Sequence, residues 1–230
     1  MNAGLECIHS VSIAGCVREK PGTIGLAALR GDDLRLAGAL VEIVAGPTAF
    51  EALRRAQAAA LAAGARLRRG RCDRTYSQAD GIYFFTDLPP GPYRLRVSAP
   101  QYGTRFGTVD SGPEGGPDGP QAIRVLPPPQ EGQPWQVAVF DVLLPSTRVR
   151  GRVLHADTGE AISMAAVRLR GEAAASRTDR EGKFELRRLS AGRITLDIAA
   201  AGLRPVQRTF TVGAGEEVEI DDIHMSKAGA

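Results

Sequence analysis

The sequence predicts an all-β protein of two tandem antiparallel β-sandwiches, the first carrying an inserted α-helix. Three observations predict it. The chain repeats itself: residues 80–97 align without a gap on residues 181–198, at an offset of 101, and self-similarity of this kind marks duplicated architecture. Apolar runs are short, mostly four to eight residues, and are bounded by Gly, Pro or Asp, the signature of strands in a sandwich. One stretch of the first half breaks that pattern with residues that favour helix.

Taken in order, the opening strand of the first half has two candidates, residues 12–17 and residues 23–29. Ala39-Leu40-Val41-Glu42-Ile43 is the next strand, and it matches Ala165-Ala166-Val167-Arg168-Leu169 at an offset of 126. The two offsets differ, so the first copy holds about 25 extra residues between the matched blocks. Residues 47–64 fill that insertion and predict a helix of about four turns. Thr48 and Glu51 stand at capping-box spacing, Ala, Leu, Arg and Gln fill the interior, and Gly64 suits the position just past the end. Phe50, Leu53, Ala60 and Leu61 can line one apolar stripe. Asp80-Gly81 is a turn in which Gly takes positive φ. Tyr93, Leu95 and Val97 alternate with Arg94 and Arg96 as a half-buried strand opened by Gly91, with Leu88 plugging the end of the sandwich. Residues 107–134 hold two Pro/Gly-rich loops around a short strand at 121–126. A strand at 135–144 ends the first domain, 1–145, and the second spans 146–230.

The second copy reads Val149-Arg150-Gly151-Arg152-Val153, then Ala166-Val167-Arg168-Leu169, Thr178-Asp179-Arg180-Glu181-Gly182-Lys183-Phe184 and Leu189 through Ile198. This pattern resembles the carboxypeptidase regulatory-like, or transthyretin-like, domain family. The resemblance implies two tandem immunoglobulin/transthyretin-like sandwiches, and it specifies fold far better than function.

Composition narrows the function. Aromatics are 5% of the chain and the net charge is +3, which argues against a nucleic-acid surface of stacked rings and concentrated positive charge. No run of 18 apolar residues is present, so no membrane-inserted helix is expected. No secretory signal is expected either, which points to cytoplasmic synthesis. The three cysteines, Cys7, Cys16 and Cys72, are odd in number and too few for a disulfide scaffold.

Catalytic and metal chemistry find little footing. The transthyretin-like fold includes a hydroxyisourate hydrolase with a His near the start of its first strand and a Tyr-Arg-Gly-Ser terminus. Here Arg152 stands at the His position, although Val153-Leu154-His155 resembles part of that segment, and residues 225–230 bear no such terminus. Of His9, His155 and His224, none precedes a Glu at the spacing of a zinc carboxypeptidase ligand pair. Cys7, His9 and Cys16 lack the Cys-x-x-Cys pairing that would make a zinc site specific. Asp221 and Asp222 read as a solvated strand edge. The only asparagine is Asn2, so the Lys–Asn isopeptide bond of related adhesin sandwiches has no partner in a core strand. No catalytic residue, cofactor or metal ligand is expected.

What remains is a non-catalytic structural or interaction protein whose partners are other protein subunits of a larger assembly. Residues 80–88 followed by Gln101-Tyr102-Gly103-Thr104-Arg105-Phe106-Gly107 look like regulatory-like proteins of phage-tail-like contractile injection particles. The alternative is a carbohydrate- or peptide-binding surface module exported by a non-classical route. The inserted helix is the candidate partner contact, through Phe50, Leu53, Arg54 and Leu61.

Overall fold

A computed structural model describes residues 9–22, 34–66, 70–111, 123–130 and 133–228. They group into two compact units. The first is drawn from Met1–Arg18, Arg35–Gln101 and Thr108–Leu143, and the second from Glu19–Leu34, Tyr102–Gly107 and Leu144–Ala230.

In the first unit, β1 (Val11–Glu19) is the middle strand of one sheet. It pairs antiparallel with β4 (Ile82–Thr86) and parallel with β8 (Ala138–Val139), and β9 (Val142–Leu144) also pairs with it. The facing sheet runs β3 (Arg74–Tyr76), β2 (Leu40–Ala45), β5 (Gly91–Ser98), with β6 (Val109–Asp110) and β7 (Ile123–Val125) on the far side of β5. The core comes from alternate residues of both sheets: Ile13, Val17, Val41, Tyr83, Leu95 and Val97 are fully buried, as strand alternation requires.

The second unit repeats this wiring. Its β10 (Arg148–His155) pairs antiparallel with β13 (Lys183–Arg187) and parallel with β16 (Glu217–Glu219) and β17 (Ile223–Met225). Its other sheet runs β12 (Ala175–Arg177), β11 (Ala166–Leu169), β14 (Gly192–Ala199), β15 (Val206–Val212). Val149, Val153, Val167, Phe184, Leu196 and Ile198 meet in its core. The equivalence extends to backbone detail. Gly81 and Gly182 turn at φ 78° and 75°, and Asp87 and Arg188, 101 residues apart, both sit at φ 56°.

Several sequence expectations are refined. Strand β1 covers residues 12–17, while 23–29 lie outside the described residues. The sandwiches are not purely antiparallel. In each unit the chain crosses from the second sheet back to the first and lays a late strand parallel to the first strand, β8 on β1 and β16 and β17 on β10, a pairing that only a crossover permits. The strand expected over 135–144 is broken into β8 and β9. At the break, the Phe140 N–H bonds the Ala14 carbonyl at 2.9 Å, and Asp141 Oδ1 accepts the Cys16 N–H at 2.8 Å. The short strand expected at 121–126 is β7, with 121–122 outside the described residues.

The insertion is helix α1, Thr48–Ala62. The capping box does not form: Pro47 holds the N-cap position, no side chain caps it, and Glu51 pairs with Arg54 instead. Pro47 contributes no N–H of its own, so the uncapped start has one unpaired donor fewer. The other end closes as the sequence predicts. Gly64 stands at φ 84°, its N–H bonds the Leu61 carbonyl, and the Ala65 N–H bonds the Ala60 carbonyl, a Schellman motif. A methyl group at Gly64 would meet no atom within 4 Å, so Gly64→Ala carries only the left-handed backbone penalty. We expect it to lower stability by about 1 kcal/mol, measured by thermal unfolding; no change would show that the end of α1 frays in the native state.

Candidate interaction face

The sequence-predicted contacts on α1 do not share one face. Phe50 is fully buried and stacks edge-on against Tyr93 with ring centroids 5.4 Å apart. It anchors the helix and is withdrawn from any docking surface. Gln57, seven residues on and therefore on the same side, accepts the Cys72 N–H at 2.9 Å. Arg54 is held by Glu51. Leu61 is 38% exposed. Leu53 lines an open groove of about 320 Å³ with Gln57, Cys72, Thr75, Phe84 and Thr86. Burial pushes the Cys72 thiol up, so it stays protonated rather than acting as a nucleophile. Beside it, burial opposes ionisation of Asp73, but the paired bonds from Arg71 hold its carboxyl below the usual carboxylate range.

From that groove an apolar surface continues across the outer face of the first sheet. Strand alternation sends Tyr83 and Phe85 into the core and leaves Ile82 and Phe84 outside, each 43% exposed. Phe84 sits opposite Ala14 on β1, and Ala14 opposite Val139 on β8. Val139 is 71% exposed. Ile82 sits opposite Cys16, and Val137, Leu143 and Trp135, on or beside β8 and β9, are exposed as well. The Trp135 indole N–H is fixed to the Val11 carbonyl at 2.7 Å. Large apolar side chains gathered on one sheet face are a recurrent mark of an interaction site. Arg18 and Asp141, 3.5 Å apart, mark one end of it.

The second unit supplies an internal control. The same row of the same sheet reads Glu185, Arg150, Glu219, and the next reads Lys183, Arg152. Arg150 reaches Glu217 at 2.9 Å and Glu219 at 2.8 Å. Glu185 is withdrawn here, 5% exposed and 3.4 Å from Arg148, so on this unit it is Arg150 and Glu219 that present paired charge on the outer face.

Residues 148–226 match the carboxypeptidase regulatory-like domain. The charged pair therefore belongs to a regulatory-like domain, and the first unit repeats the strand pairing of that domain with an apolar face in its place. No curated protein matches the chain. Among solved structures it is similar to the shaft pilin SpaA of Lactobacillus rhamnosus GG, with TM-score 0.40, 10% identity, and 96% of this chain and 99% of that one covered. It is also similar to a streptococcal ancillary pilin, with TM-score 0.32, 14% identity and 98% and 64% covered. A third is a type II cohesin–X-dockerin complex of Acetivibrio cellulolyticus, with TM-score 0.31 and 21% identity. That match covers 36% of this chain and 58% of the other.

Other candidates do not assemble. Among the described residues, no three His, Cys, Asp or Glu side chains group to hold a metal ion, and no helix is long and apolar enough to cross a membrane. Cys7 lies outside the described residues. His9 Nδ1 pairs with Asp87 at 2.7 Å. Arg152 of the regulatory-like domain donates to the Glu181 carbonyl at 2.9 Å, and Asp221 and Asp222 are exposed. The apolar outer face, which the stripe on α1 does not point to, has its own signal in the sequence. The alignment that reveals the repeat sets Ile82 and Phe84 against Lys183 and Glu185.

Proposed function

We propose that this protein is a non-catalytic interaction module, an accessory subunit of a larger protein assembly such as a phage-tail-like particle made in the cytoplasm. In this reading the first unit is a divergent copy of the regulatory-like domain. The regulatory-like domain at 148–226 is plain scaffold, and the first unit docks through its outer sheet face. The observation that carries it is that Phe84 is 43% exposed and Val139 71% exposed where the second unit buries Glu185 against Arg148 and presents the Arg150–Glu219 pair. Keeping large apolar side chains in water is unfavourable. A partner surface that covers them accounts for their presence.

The test is to tag the chain in its native host and fractionate a gentle lysate by size. We expect it to migrate with a multi-subunit particle. A variant carrying the second unit's charges, Phe84→Glu with Ala14→Arg and Val139→Glu, should migrate alone. A wild-type chain that itself runs as a small species would sink the assembly reading.

A further inference from the structure

Resting on the reading of the outer face as a docking surface, we propose that its first occupant is the same face of a second copy of this chain. A two-fold interface requires a patch complementary to itself. The centre here is apolar and uncharged: Ile82, Phe84, Ala14, Val137 and Val139 carry no charge that a copy would have to oppose. The marked end carries one charge of each sign, Arg18 and Asp141, both about half exposed. Across a two-fold axis the Arg18 of one copy can meet the Asp141 of the other. The net charge of +3 adds little long-range repulsion between copies.

This pairing also places a thiol. Cys16 lies on β1, the middle strand of the sheet, pointing to the outer face opposite Ile82 and partly exposed. An axis through the patch centre brings the two Cys16 side chains within reach of a short bismaleimide.

Sedimentation of the purified full-length chain, from low micromolar to several hundred micromolar, tests the proposal. The wild type should approach twice the monomer mass, and the Phe84→Glu, Ala14→Arg, Val139→Glu variant should stay monomeric, a loss of about 100-fold or more in self-affinity. Because Phe84 and Val139 are already exposed, the variant should keep the wild-type thermal unfolding midpoint, which is measured alongside so that lost self-association is not lost fold. A second measurement leaves the face intact: in a Cys7→Ser, Cys72→Ser background, a short bismaleimide should cross-link pairs through Cys16. A wild type that is monomeric at every concentration overturns the proposal, as does a dimer that the charged variant leaves whole or that Cys16 does not cross-link. Those results refute the second copy alone. The assembly reading stands or falls separately, on whether the native chain travels with a particle.

Discussion

Arg148→Ala is expected to destabilise the second unit by roughly 3–5 kcal/mol, the usual loss when one member of a buried ionic cluster is removed. The Arg148 side chain is 2% exposed, and so nearly are its neighbours Glu19 at 1% and Glu185 at 5%. Its guanidinium donates to the Lys20 carbonyl at 2.5 Å and to Ser146 Oγ at 2.9 Å. It also lies 3.4 Å from Glu185 and 3.9 Å from Glu19. Glu19 in turn accepts from Ser146 Oγ and from Arg188 Nε, each at 2.7 Å. Truncating Arg148 leaves two carboxylates inside with one cation fewer and orphans the Lys20 carbonyl. Arg148→Met alone should do little better, since it restores volume but not charge. Pairing Arg148→Met with Glu185→Leu should recover much of the loss, because removing both partners removes the desolvation penalty as well. Hydrogen exchange of the β10 amides reads the effect locally. If Arg148→Ala exchanges like wild type, the cluster is not holding the unit.

This cluster also shows where sequence reasoning stops. Alternation along Arg148-Val149-Arg150-Gly151-Arg152-Val153 puts every arginine outside, and for Arg150 and Arg152 that holds. Arg148 is buried because chain from more than a hundred residues earlier, Glu19 and Lys20, packs onto it, and no local pattern encodes that contact. The periodicities that did transfer are local. The offset of 101 located paired turns, strand openings and plugging leucines, Leu88 and Leu189, both buried. The helix was legible from propensity and from Gly64. Its orientation was not, because the stripe of Phe50, Leu53, Ala60 and Leu61 weighs all apolar residues alike, whereas Tyr93 selects Phe50 and Cys72 selects Gln57. The outer face was written in the mismatches of the repeat alignment, which carry more about function here than its matches.

Gly15→Ala should be at least as damaging to the first unit, at about 3 kcal/mol or more, and its effect reaches the proposed docking face. Gly15 lies on β1 opposite Tyr83. A β-carbon there would stand 1.9 Å from the Phe140 carbonyl oxygen, 2.7 Å from its carbon and 2.9 Å from the Tyr83 hydroxyl. The obstacle is backbone, so no rotamer change relieves it. The Tyr83 phenol, raised above its ordinary range by burial and then by the Asp141 charge, keeps its proton and donates it to that same carbonyl at 2.6 Å. Admitting a methyl group means pushing residue 140 off β1 and breaking this bond, and Val139 and Asp141 move with it. The equivalent position in the regulatory-like domain is the control. At Gly151 the same methyl group would meet the Ile220 Cγ1 at 2.7 Å and the Phe184 ring at 3.1 Å, side-chain atoms that can yield, so Gly151→Ala should cost only about 1–2 kcal/mol. Tyr83→Phe isolates the hydrogen bond and should cost about 1 kcal/mol. Thermal unfolding of the three variants gives the order Gly15→Ala, then Gly151→Ala and Tyr83→Phe. Equal losses at the two glycines would mean that the strands carrying Val139 and Leu143 can drift from β1, and a face that drifts cannot present a fixed surface to a partner.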